Sequence, residues 1–178
     1  MIVIVEGPRC SGKTTFAREL FEELKSREIS VSIWKASRGE DSVFDMLNSL
    51  EGFAEDRVWI LDRFHLTEWI NSRILQRGWA SSSEWREIEG GLINIDNELR
   101  KRNTIIILLT AQSYILRKRW KKTKRVGVII NEPQRILRIW ETVFDLTRCD
   151  IIHLRNNTRQ MLTCNVNITA DLIKGRIR

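Results

Sequence analysis

The sequence predicts an α/β fold built on a parallel β-sheet with helices on both faces. Two patterns carry that prediction. Short β-branched runs alternate with amphipathic stretches along the chain, as repeated strand–helix–strand units do. The clearest of these runs are apolar at nearly every position rather than at every second one, as strands covered on both faces are. No Pro/Gly-rich linker, internal repeat or low-complexity tract interrupts the alternation. Residues 1–178 are therefore expected to form a single domain.

The elements follow in order. Met1 to Val5 is the first strand, and a Gly/Pro/Ser loop follows it. Thr14 to Arg27 carries Phe16, Leu20, Phe21 and Leu24 at helical spacing. Ile29 to Trp34 is a second strand, and Val43 to Phe53 a helix with Val43, Phe44, Leu47 and Leu50 on one face. Arg57 to Leu61 is a third strand, ended by Asp62-Arg63. His65 to Gln76 and Glu84 to Arg102 read as helices, separated by Gly78 and a serine run that can cap the second. Thr104 to Leu109 is the clearest strand. A helix begins at Ser113, and another spans Glu132 to Thr147 with Pro133 in its first turn. Asp150 to Leu154 is the fifth strand, and a last helix starts near Thr158.

Charge is unevenly placed. The net charge is +7, which points to an anionic partner. Residues 1–60 hold 8 basic and 11 acidic side chains, whereas residues 113–178 hold 15 and 5. The segment 113–125 carries seven basic residues and no acid, so it matches the whole excess. No apolar run approaches the ~20 residues of a membrane span, and Glu6 interrupts the first apolar run too early for a signal peptide. No membrane association is expected. Cys10, Cys149 and Cys164 form no paired framework and no CxxC, which argues against a disulfide scaffold or zinc site and for a reducing, cytoplasmic setting.

Gly7-Pro8-Arg9-Cys10-Ser11-Gly12-Lys13-Thr14 matches GxxxxGK[ST], with Thr15 following. A strand precedes it and a helix follows, the context that a phosphate-binding loop requires. Glycines let the backbone wrap so that amide groups point at phosphate, and the helix offers its positive end. Lys13 reaches the β- and γ-phosphates, and the Thr14 hydroxyl can ligate Mg²⁺. The expected architecture is therefore the three-layer P-loop NTPase fold with about five parallel strands. No guanine-reading N/TKxD motif occurs, so ATP with Mg²⁺ is the expected cofactor pair.

Asp62 and Arg63 end a strand on the edge where parallel sheets bind ligands. Asp62 is placed to hold a Mg²⁺-bound water or orient a nucleophile. Arg63 can clamp an acceptor phosphate in bidentate fashion.

The segments Val5-Glu6-Gly7-Pro8, Ser11-Gly12-Lys13-Thr14-Thr15 and Asp62-Arg63-Phe64-His65 resemble the thymidylate kinase and deoxynucleoside kinase group of P-loop kinases. They are most similar to thymidylate-kinase-like proteins of phages and prokaryotes. The resemblance implies that Asp62 and Arg63 lie at the active site, with Arg63 on the acceptor monophosphate. It implies a basic lid over ATP at about 117–131, with Arg119 and Arg125 as phosphate contacts and Arg117 and Lys122 as alternatives. It also places an arginine-bearing loop at Arg38. Lys13, Asp62, Arg63, Arg119 and Arg125 are then the catalytic set. One departure stands out: Arg9 occupies a position where thymidylate kinases commonly carry an acid that contacts the acceptor sugar. That puts dTMP in doubt as the acceptor.

Of the seven tryptophans, most are expected in packing, and Trp69 is a candidate to stack on an acceptor base. His65 reads as structural or substrate-bonding. The expected activity is ATP-dependent phosphoryl transfer to a small-molecule nucleoside monophosphate or deoxynucleoside. The competing readings are a polynucleotide 5′-hydroxyl kinase, whose partner would be a nucleic-acid end, and a non-kinase P-loop ATPase or binding module. Members of the group are often homodimers, an arrangement the sequence leaves open here.

Overall fold

Residues 1–35, 43–67, 69–70, 82–122, 133–142 and 147–177 are described by a computed structural model. Five strands make one sheet: β1 (Ile2–Glu6), β2 (Val31–Lys35), β3 (Val58–Asp62), β4 (Thr104–Thr110) and β5 (Asp150–Arg155). Their spatial order is β2-β3-β1-β4-β5, and every neighbouring pair is parallel. The helices are α1 (Lys13–Ser26), α2 (Val43–Glu51), α3 (Ser82–Lys101), α4 (Ser113–Lys122), α5 (Pro133–Glu141) and α6 (Arg159–Arg176). Residues 65–67 and 69–70 are also helical.

The strand pleat sorts side chains onto two faces. Val3 and Val5 of β1, Ile60 of β3, and Ile105, Ile107 and Leu109 of β4 face α1 and α6. Ile2 and Ile4, Leu61, Ile106 and Leu108 face α2, α3 and Trp140 of α5. Each helix delivers a 3.6-periodic stripe to its face: Phe16, Leu20 and Leu24 from α1, Leu92, Ile95 and Leu99 from α3. The result is a three-layer α/β sandwich. The central strands β1 and β4 are buried throughout, while the edge strands β2 and β5 are half-exposed.

The strands run one residue beyond the expected ends, each time onto a polar side chain: Glu6, Lys35, Asp62, Thr110 and Arg155. Hydropathy follows side-chain burial, whereas pairing follows the backbone, and the ladders continue through Glu6↔Leu108, Lys35↔Asp62 and Thr110↔Arg155. The carboxyl edge of the sheet is therefore a polar rim. The chain departs from β1 toward β2 on one side and crosses from β3 to β4 on the other. The ends of β1 and β3 thus flank the switch point where open α/β sheets bind ligands.

Two helices differ from expectation. The one expected over 132–147 ends at Glu141, and Thr147, whose hydroxyl donates to Asp96, lies outside any helix. The helix expected over 65–76 is described only to Ile70. Residues 123–131 of the expected lid, with Arg125, lie outside the described residues, as does Arg38. Among the described residues, no helix is long and apolar enough to cross a membrane.

Candidate active site

The loop between β1 and α1 is built by backbone conformation. Gly7 (φ 138°), Cys10 (φ 64°) and Gly12 (φ 99°) all take positive φ. Left-handed residues within a turn direct successive amides into one concavity, an anion nest. Gly7 has a second reason to be glycine. A Cβ there would lie 2.1 Å from the Leu109 carbonyl oxygen, so the loop presses directly on the end of β4. No side chain caps α1 at Gly12, which leaves its first amides open to an anion.

Lys13 opens α1 and is buried. Its Nζ donates to the carbonyls of Gly7 at 2.6 Å and Pro8 at 2.8 Å. Burial, with the Arg63 charge beside it, lowers its pKa to about 8 against the pull of Glu6 and Asp62. Two cations and two carboxylates therefore share one desolvated corner at the ends of β1 and β3. Thr14 is exposed in the first turn of α1, with Thr15 half-buried behind it.

Asp62 and Arg63 are brought to that corner by register. Val5 pairs with Asp62, and the Arg63 amide donates to the Val5 carbonyl at 3.1 Å. Asp62 is 2% exposed, and its Oδ1 has no protein partner. A buried carboxylate oxygen without a donor suits an Mg²⁺ ion or its water, together with the Thr14 hydroxyl, since Mg²⁺ is typically held by one or two protein oxygens plus substrate phosphates. Arg63 has φ 77°, a left-handed conformation that costs a non-glycine residue on the order of 1 kcal/mol or more. This turn separates the end of β3 from the helical residues that begin at His65.

In the sequence Glu6 ends the first apolar run and belongs to the Val5-Glu6-Gly7-Pro8 segment, with no role of its own assigned. In the structure it is fully buried. Its Oε1 accepts from the amides of Phe64 (2.9 Å) and Thr67 (3.2 Å), and its Oε2 from the Thr67 hydroxyl. It thus acts as an N-cap supplied from another element, holding the helix start that follows Arg63. Burial raises its pKa to about 7, and the bonds from Thr67 and Phe64 and the Lys13 charge only partly offset this.

The outer side of the loop is braced by α4 and the end of β5. Arg119 Nη1 donates to the carbonyls of Cys10 and Ser11, both at 3.2 Å. Its Nη2 donates to the Asn156 carbonyl at 2.9 Å and the Asn157 carbonyl at 3.5 Å. Asn156 Nδ2 donates to the Ser11 carbonyl at 2.7 Å, and a Cβ at Gly12 would fall 2.4 Å from that same Nδ2. The Arg9 guanidinium lies 5.2 Å from the centroid of the Trp120 ring, a cation–π contact. Arg119, expected to meet phosphate, is placed here against the back of the loop, while Arg117 is exposed on the same helix.

Behind the site, His65 Nε2 lies 3.2 Å from Asp96 Oδ1. A carboxylate only accepts, so Nε2 carries the proton and the buried Nδ1, which has no protein partner, is the bare nitrogen. Burial lowers the His65 pKa against the pull of Asp96 and keeps the ring neutral. Asp96 also accepts from the Thr147 hydroxyl and from the Arg148 amide at 2.9 Å. Burial raises its pKa, but these bonds outweigh that and hold it below the usual carboxylate value. Cys149, beside it, is pushed up to about 12 by burial, an inert thiol. Trp69 is 5% exposed in the core, its Nε1 3.5 Å from Glu89 Oε1; the ring is committed to packing.

Of the residues singled out in the sequence, the fold brings Lys13, Asp62 and Arg63 to one corner, with Thr14 next to Lys13 in the first turn of α1. The sequence missed Glu6, Asn156 and Asp96. Glu6 carried one signal, a lone charge at the end of an apolar strand. Asn156 and Asp96 carried none, since their partners lie far along the chain. A cavity of about 400 Å³ opens at the opposite edge of the sheet, near Met1, Phe53 and Arg102. Two of its cations are already engaged, Arg102 by the Leu50 carbonyl and Arg176 by Asp150.

No protein-family model matches the chain, and no curated protein matches it by sequence. Solved structures do match in fold. The YorR protein of Bacillus subtilis, solved in complex with phosphorylated GDP, superposes with a TM-score of 0.67 at 18% identity, covering 98% of this chain and 96% of that one. Polyphosphate kinase 2 of Arthrobacter aurescens TC1 gives 0.64 at 16% identity, covering 98% and 68%. The chain shares the three-layer α/β fold of these two proteins. At these identities the likeness is one of architecture.

Proposed function

We propose that the protein is a nucleotide kinase, transferring a phosphoryl group from ATP to a nucleoside monophosphate or deoxynucleoside. The observation that carries the reading is the convergence of Lys13, Asp62 and Arg63 on an uncapped helix start and an amide nest at the β1/β3 switch point. Phosphoryl transfer asks a protein mainly to position reactants and neutralise charge. The nest and Lys13 bind the donor phosphates, and Lys13 exchanges two loop carbonyls for phosphate oxygens. Arg63 holds the acceptor beside them, by its phosphate where the acceptor is a monophosphate. Thr14 and Asp62 would hold Mg²⁺, which supplies charge neutralisation on the donor when bound. Glu6 fixes the turn from which Arg63 projects. The phosphorylated GDP held by a protein of the same fold supports a nucleotide site. The Arg9 guanidinium, engaged by Trp120, supports an acceptor other than dTMP.

The test is a coupled ATP-consumption screen against all deoxynucleosides, their monophosphates and a 5′-hydroxyl oligonucleotide. Turnover that requires a mononucleotide or nucleoside supports the reading. Turnover with the oligonucleotide alone, or ATP hydrolysis that no acceptor stimulates, overturns it. Arg63→Ala should raise acceptor KM or lower kcat more than it weakens ATP binding. A loss confined to ATP affinity would remove Arg63 from the acceptor site.

A further inference from the structure

The basic segment divides in two in the structure. Arg119 and Trp120 turn inward, to the loop carbonyls and to Arg9, and Leu116 is buried. The other cations of α4, namely Arg117, Lys118, Lys121 and Lys122, are all exposed. Among the described residues none of the four makes an ion pair, and α4 contains no acid. Tyr114, Arg117, Lys118 and Lys121 stand at i, i+3, i+4 and i+7, the spacing of one helix face, with Lys122 at its flank. Tyr114 is 62% exposed. A single aromatic ring thus lies open along a row of cations.

We propose that the outer face of α4 is a docking surface for single-stranded nucleic acid. Charge complementarity selects a polyanion, and the exposed ring selects one with bases. Strands are held by cations that track the phosphates and by aromatic side chains on which bases stack. A lipid surface fits less well, because the apolar face of α4 is spent on the core and only charge and one tyrosine face outward. Inorganic polyphosphate would satisfy the lysines and leave Tyr114 without a role. The surface uses none of the phosphate loop, Asp62 or Arg63, but it shares Arg117 and Lys122 with the expected lid.

Fluorescence anisotropy of the full chain with a labelled single-stranded oligonucleotide tests it. Binding should weaken with salt at a log–log slope of about −3, from four neutralised phosphates at ~0.7 each. Lys118→Ala with Lys121→Ala should halve that slope. Tyr114→Ala should weaken the oligonucleotide about tenfold, within the range that base stacking gives, and leave competition by inorganic polyphosphate unchanged. ATP consumption should match wild type in Tyr114→Ala, which lies outside the expected lid. Equal oligonucleotide affinity in Tyr114→Ala overturns the proposal, as does polyphosphate or an anionic vesicle binding as tightly as the oligonucleotide. Loss of ATP consumption in Tyr114→Ala also overturns it, by assigning the face to the kinase site. A protein that binds oligonucleotide but transfers no phosphoryl group would overturn the preceding reading and leave this one standing.

Discussion

Lys13 turns its ammonium back onto the Gly7 carbonyl, 2.6 Å away, in the same loop that its charge is expected to serve. The loop thus satisfies its own lysine, and phosphate binding exchanges these carbonyls for phosphate oxygens. Lys13→Ala should abolish ATP turnover. Its cost to stability should be small, because the folded state already lowers the Lys13 pKa to about 8 and so disfavours the charge. Thermal unfolding beside a turnover assay checks both points. A Lys13→Ala protein with unchanged turnover would sink the loop assignment.

The same lysine predicts a proton uptake. With a pKa of about 8, Lys13 is largely neutral at pH 9. A bound triphosphate favours its charged form. Nucleotide binding at pH 9 should therefore take up close to one proton, falling toward zero at pH 6.5. Calorimetry in buffers of different ionisation enthalpy measures the number directly, and Lys13→Ala should remove it.

Glu6 gives the stability of the ligand-free protein an unusual slope. Its pKa is raised from 4.5 to about 7 in the folded state, so the folded protein binds a proton more tightly than the unfolded chain does. Its contribution is fully present below pH 4.5 and is lost as pH rises through about 7. Urea midpoints should therefore fall from pH 5 to pH 7 in wild type, and Glu6→Gln should flatten this arm. An unchanged slope in Glu6→Gln would assign it to other groups.

Asp96 has the opposite sign. Its folded pKa lies below 3.8, so it stabilises above that value and the gain is lost as pH falls through the lower, folded value. Asp96→Ala removes the acceptor for His65, Thr147 and the Arg148 amide and leaves buried donors unpaired. It should cost about 3 kcal/mol at pH 7, since several buried donors lose their acceptor, and blunt the acid arm of a pH–stability curve below the usual carboxylate range.

Arg119 is expected to act through the loop. Arg119→Ala leaves the Cys10 carbonyl without its guanidinium donor and the Ser11 carbonyl with only Asn156. A loss of about 2 kcal/mol in stability, typical of a charge-assisted bond, should accompany weaker ATP binding. Arg119→Lys should rescue little, since one ammonium cannot replace a planar fork that reaches several carbonyls. Wild-type stability with slow transfer would instead place Arg119 on the transferring phosphate.

The local parts of the site were written in the sequence because the chain itself encodes them. The spacing of Gly7, Gly12, Lys13 and Thr14 specifies a turn, a nest and a helix start within eight residues. The apolar run from Val58 to Leu61 puts Asp62 and Arg63 at a strand end. Alternating strand and helix patterns give the layers, because pleat and helix periods are properties of neighbouring residues. Tertiary structure alone decided what those parts face. Glu6 reaches Phe64 and Thr67 across 58 and 61 residues, and Asn156 reaches Ser11 across 145. Arg119 reads in sequence as one of seven similar cations in 113–125. Helix rotation on the core turns it to the loop and leaves Lys118 and Lys121 to solvent. Periodicity assigns a face, but what meets that face is set by strand order, and the strand order β2-β3-β1-β4-β5 rests on packing between segments distant in the chain.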